Sequence, residues 1–253
     1  MNSFKFISFL LLISIAFTAC EQNSDAPTPI QGTVKFTFKN TVKGVPLVLN
    51  TDSYTNALGE SFKVTKFKYY ISNIALTNID KRFAETESYH LIDQALATSQ
   101  TFSFNANAEV YSHISFTIGV DSVRNVSGAQ TGALDPLNDM FWTWSTGYIM
   151  AKLEGNSPAS SQVNNKVEFH IGGFSGVNNV LKPITITIPA TTPLLNVRLN
   201  KTSEVIIEAD VDKWFSNNLS LATEPVCTTP GVLAKKIADN YQSMFSIKQV
   251  INN

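Results

Sequence analysis

The chain of 253 residues carries 19 basic against 20 acidic side chains, a formal net charge of −1, with 43% hydrophobic and 11% aromatic residues. No basic run is present, so the electrostatic footprint of a nucleic-acid binder is missing; Lys35, Lys39, Lys63, Lys66 and Lys68 are spread along alternating segments, as on a solvated strand face. With Cys20 read as lipidated, Cys227 is the one thiol left and has no partner for an internal disulfide.

Residues 1–19 read as a lipoprotein signal peptide. Lys5 supplies the positive start, Phe6 to Phe17 the apolar run, and Thr18 and Ala19 the small residues ahead of Cys20. A run of about a dozen apolar residues is shorter than the ~20 that span a bilayer. Cys20 is therefore expected to be the lipidated first residue of the mature chain, a membrane anchor. Residues 20–31, with Pro27 and Pro29 and no apolar periodicity, read as a flexible tether. Residues 32–253 are long enough for one domain with a full core.

Strand signals dominate that domain. Val34 to Phe38 alternates, Val45 to Leu49 is a short apolar run, and Phe62 to Leu76 alternates through Val64, Tyr70 and Ile74. Further strands are expected at His90–Ile92, Thr101–Phe104, His113–Ile118, Val167–Ile171, Ile184–Ile188, Glu204–Val211 and Phe245–Val250. Behind Pro230 and Gly231, the apolar positions Val232, Leu233, Ala234, Ile237, Ala238 and Tyr241 predict one helix near the C-terminus. Many short strands with one helical pattern predict an all-β fold, an antiparallel β-sandwich with one C-terminal helix.

The stretch from Leu134 to Gly173 concentrates unusual side chains. In a strand, Met140, Trp142 and Trp144 share a face opposite Phe141 and Thr143. After the polar loop Asn156 to Asn165, a strand carrying His170 can return beside it and bring an imidazole near the tryptophans. Alternating aromatics serve equally well as core packing, and a lone strand histidine as a hydrogen-bonded structural residue. Spacing leaves both readings open.

Several chemistries find no support. No nucleophile elbow accompanies His90, His113 or His170, so a hydrolytic triad has no frame. Gly172 and Gly173 open no predicted helix, which removes a nucleotide loop. The cysteines and histidines do not cluster as a closed zinc site requires, and Asp121, Asp135 and Asp139 fit no calcium loop, so calcium is not expected. His170, Cys227, Met140 and Met150 are donor types that copper accepts from distant parts of a sequence. We read the chain as a non-enzyme.

The segments GALDPLNDMFWTWSTGYIMAKLEG and FHIGGF resemble the MbnP-like copper-binding family. The segments VPLVLNTDSYTNALGESFKVTKFKYYISNIAL, FTIGVDSVRN and AKKIADNYQSMF match it too, in the same order, so the resemblance spans nearly all of the mature chain. It implies a copper protein in which a tryptophan is converted to kynurenine by a di-haem cytochrome c peroxidase-like partner of the MauG type, with histidine near the metal. Carried onto this chain, Trp142 and Trp144 are the oxidisable pair, His170 a metal ligand and Cys227 a soft additional ligand. The copper-characterised members use more than one histidine, whereas Asn40 and Cys227 stand here at positions where another imidazole would have served. The resemblance thus implies an envelope lipoprotein, periplasm-facing or on the outer-membrane surface, acting in copper acquisition or homeostasis. The alternative is a metal-free surface lipoprotein that serves as a binding or adhesion module.

Overall fold

A computed structural model describes residues 29–142, 144 and 147–253, with only the backbone of Thr86. Cys20 and the leader lie outside the described residues. Ten strands of six residues or more run in chain order: β1 (Gln31–Val42), β2 (Ser61–Thr77), β3 (Arg82–Asp93), β4 (Thr101–Asn107), β5 (His113–Ile118), β6 (Gly147–Asn156), β7 (Lys166–Gly172), β8 (Lys182–Thr187), β9 (Thr202–Asp210) and β10 (Phe245–Ile251). The helices are a single turn, α1 (Ser122–Asn125), and α2 (Val232–Tyr241).

Two sheets face each other, as the alternation predicts. The smaller runs β10, β9, β1, and the far edge of β1 pairs with β4 and then with the two-residue strand Val45–Pro46. The larger runs β8, β5, β2, β6, β7 and ends on the two-residue strand Val226–Cys227, while β3 takes the other edge of β2. Most ladders are antiparallel; β1 with β9 and β7 with Val226–Cys227 are parallel. Val34, Phe36 and Phe38 turn inward from β1 and are buried, while Thr33, Lys35 and Thr37 between them stay partly open. Across the sandwich, the ring of Phe38 meets Tyr69 at 6.2 Å and Phe116 at 6.3 Å, and Phe67 meets Trp214 at 5.7 Å. Apolar burial between the sheets is the main force holding them together.

Helix α2 closes one side. Ala234, Ile237, Ala238 and Tyr241 form its buried stripe, and Tyr241 packs on Trp214 at 4.9 Å. Buried Asn240 ties the end of α2 to the preceding 3-10 turn by donating to the carbonyls of Trp214 and Ser216 at 3.0 and 2.7 Å.

Strand β2 departs from simple alternation for a local reason. Its inward residues are Phe62 and Val64, then Phe67, Tyr69 and Ile71, so parity changes once between them. The change coincides with a bulge against β6 at Glu154 and Gly155, where any Cβ on Gly155 would lie 2.0 Å from the Lys63 carbonyl oxygen. Tyr70 is consequently placed on the face opposite Tyr69. Its hydroxyl donates to the carbonyl of Ala133 at 3.0 Å. The segment between β5 and β6 folds back over this outer face, and Lys68 donates to the carbonyl of Asn138 at 3.1 Å. No helix among the described residues is long and apolar enough to cross a membrane.

Candidate functional site

The outer face of β2, β6 and β7 carries a ladder of charged side chains, because they alternate with the buried Phe67, Leu153 and Phe169. In one row Lys68, Lys152 and His170 are register partners; in the next, Lys66, Glu154 and Glu168. Nε2 of His170 lies 2.9 Å from Oε1 of Glu154 and 3.9 Å from Oε1 of Glu168. One donor atom from each of these three residues falls within 4.8 Å of the others.

Lysines already neutralise part of this group. Lys152 is 1% exposed, with its ammonium 3.0 Å from Oδ2 of Asp139 and donating also to the Asp139 backbone carbonyl. Lys66 bridges Asp139 at 2.7 Å and Glu154 at 3.4 Å, and Lys166 pairs with Glu168 at 2.7 Å. The local backbone prepares the contact: Asp139, at φ 61°, ends a short 3-10 turn in the left-handed region that Asp tolerates better than most residues.

These contacts set the protonation of the site. The hydrogen bond with His170 lowers the pKa of Glu154 against the opposing effect of burial, and Lys66 adds to it. Burial pushes the Asp139 carboxyl up, but hydrogen bonds from Lys66 and Lys152 outweigh it and leave the pKa lowered. Burial lowers Lys152 in spite of Asp139.

The tryptophans come next. Phe141 and Trp142 pair with Tyr148 and Gly147, so the chain turns back through Trp144 instead of continuing as a strand. The face expected to hold Met140, Trp142 and Trp144 together is thereby broken up: Met140 is fully buried, Trp142 is 6% exposed and Trp144 62%. The two indoles remain in contact, with centroids 5.3 Å apart and planes tilted by 39°. The ring of Trp142 lies where a side chain on Gly172 would go, since a Cβ there would meet its Cζ3 and Cη2 at 2.4 and 2.5 Å. Gly172 follows Glu168 and His170 in the outward alternation of β7, so the indole and the imidazole occupy the same face, two residues apart along the strand.

Cys227 is not brought into this group. Its register partner is the inward Phe169, which sets it on the face of β7 opposite His170. It is buried, with Sγ 3.9 Å from the Thr229 carbonyl, and burial pushes the thiol pKa up to about 11. Met150 is also buried and its sulfur accepts from the backbone N–H of Val120 at 3.2 Å. The other histidines sit elsewhere: His90 stacks on Phe102 at 3.5 Å, and Nδ1 of His113 is 2.8 Å from the Ser112 hydroxyl.

Sequence reasoning missed Glu154, Glu168 and Lys152, and weighed Asp139 and Gly172 only for calcium and for a nucleotide loop. A signal was present in Lys152-Leu153-Glu154 and Glu168-Phe169-His170, where charges alternate with large apolar residues on two strands joined by one loop. Chemically, one imidazole with two carboxylates is a nitrogen and oxygen donor set suited to a divalent cation.

The comparisons with known proteins agree with this architecture. A solved structure, MbnP from Methylosinus trichosporium, superposes with a TM-score of 0.53 at 12% sequence identity, covering 88% of this chain and 99% of that one. No curated protein matches the sequence. The model of the MbnP family matches residues 31–229, most of the chain, and this protein belongs to the MbnP family.

Proposed function

We propose that the chain is an envelope lipoprotein, anchored through Cys20, that binds copper in acquisition or homeostasis. In this reading a di-haem peroxidase-like partner converts one tryptophan of the Trp142 and Trp144 pair to kynurenine. The carrying observation is the seat of Trp142 over Gly172, on the face that bears His170, with Trp144 open to solvent beside it. Opening an indole yields an aryl amine and a ketone, polar atoms that a metal can use where an apolar ring stood before.

The residues present fit a copper ion of one oxidation state better than the other. His170, Glu154 and Glu168 offer nitrogen and oxygen, which suit Cu(II), whereas Cu(I) favours sulfur and imidazole. The 2.9 Å hydrogen bond between Nε2 of His170 and Oε1 of Glu154 already holds two of these donors side by side, and an ion bound between them would take the place of its proton. Bound copper would supply redox and Lewis-acid chemistry; the side chains here bind and orient it.

A metal-free binding module is the second reading, favoured by one observation: Lys66 and Lys166 already pair with Glu154 and Glu168, the carboxylates that a cation would need. Titration of the mature protein with Cu(I) and with Cu(II) separates the two. Stoichiometric Cu(II) uptake, lost in His170→Ala and in Glu154→Gln but retained in Cys227→Ser, is expected. Absence of uptake by protein from its native host would favour the metal-free module.

A further inference from the structure

Of the two indoles in contact, only Trp144 opens widely to solvent. Trp142 is covered, and the edge of its ring closes on the backbone of Gly172. Trp214, the third indole of the chain, is fully buried among Phe67 and Tyr241, which are themselves fully buried. The chain therefore holds one buried tryptophan in contact with an exposed one, and a second buried tryptophan whose aromatic neighbours are closed to solvent.

We infer that Trp144 is the electron port of Trp142: a bulky one-electron oxidant that cannot touch the covered ring withdraws electrons from it through the exposed one. Ring-to-ring contact couples two indoles far better than a path through backbone or water. The oxidant takes an electron from the Trp144 indole, and the resulting cation radical takes one from Trp142. The Trp142 cation radical then releases its N–H proton to water. Two such withdrawals with one water add a single oxygen to the Trp142 indole and release two protons, and the oxidant gains two electrons. The occasion for this chemistry rests on the tryptophan oxidation proposed above. The step itself needs only an external one-electron oxidant, whether a ferryl haem or a photogenerated ruthenium(III) complex.

The test uses the recombinant mature protein, photogenerated tris(bipyridyl)ruthenium(III) and peptide mass spectrometry. Trp142 should gain oxygen in the wild type while Trp214 does not. Trp144→Phe, which keeps an aromatic ring but removes an easily oxidised one, should lower Trp142 oxidation several-fold, and Trp144→Tyr should restore much of it. A role in shape alone would not separate Phe from Tyr. Equal Trp142 oxidation in wild type and Trp144→Phe, or oxidation confined to Trp144, would overturn the port. Failure of the underlying reading looks different: tryptophan unmodified in native-host protein, together with port behaviour under ruthenium, overturns the partner oxidase alone. Kynurenine at wild-type yield at Trp142 in native-host Trp144→Phe overturns the port alone.

Discussion

Trp142 and Gly172 share one space: the benzenoid edge of the indole fills the position that a Cβ would take, 2.4 to 2.5 Å from Cζ3 and Cη2. Only a residue without a side chain lets this edge of the ring approach β7 so closely, beside the outward row that contains His170. Gly172→Ala should therefore push the indole off the sheet. We expect red-shifted tryptophan emission and a stability loss of roughly 1–3 kcal/mol in urea denaturation, the range for overpacking. An unchanged spectrum and midpoint would contradict this seat.

Lys152 is a buried cation whose stem packs on the sheet and whose head reaches Asp139. Lys152→Ala removes both and leaves the Asp139 carbonyl short of a donor, at an expected cost of about 1–3 kcal/mol. Lys152→Met keeps the stem and should cost less, because Asp139 retains Lys66 and stays half open to solvent. Equal losses in chemical denaturation would show that the charge, not the packing, dominates.

Acid should weaken the fold through two carboxylates. Glu154 and Asp139 are both held below their ordinary values of 4.5 and 3.8 when folded. As pH falls below about 4.5, the unfolded chain takes up protons first, so the stability these groups add above that pH is lost as it drops through their folded pKa values. Glu154 should carry the larger part, since its side chain is 25% exposed against 58% for Asp139, where solvent screens more. Glu154→Gln should flatten the acid limb of a stability-versus-pH curve; an unchanged limb would remove Glu154 from the account.

Cys227 should behave as an inert thiol. With its pKa pushed up to about 11 by burial, it is protonated at neutral pH and hidden from reagents. Alkylation at pH 8 should be slow in native protein and complete in guanidinium. Rapid native labelling would put the sulfur at the surface and reopen it as a ligand.

Much of this fold was legible because burial on one strand face writes itself as alternation. Val34, Phe36 and Phe38 in β1 and the stripe of α2 followed that rule. Tyr70 did not, because the bulge opposite Gly155 reverses the parity of β2, and bulges leave no fixed residue type behind. Trp144 left the expected face since a hairpin closes after Trp142, a choice set by pairing with Gly147. His170 could be nominated from its strand, but its acidic partners depend on cross-strand register, which links Lys152, Glu154 and Glu168 only once the sheet exists. Cys227 fell on the opposite face for the same reason.

The most direct measurement is peptide mass spectrometry of the mature protein from its native host, with copper quantified on the same preparation. The account predicts kynurenine at Trp142 or Trp144 in a copper-loaded protein, and copper lost in His170→Ala with the modified peptide still present. Unmodified tryptophans and no copper, in cells that express the peroxidase-like partner, would contradict it.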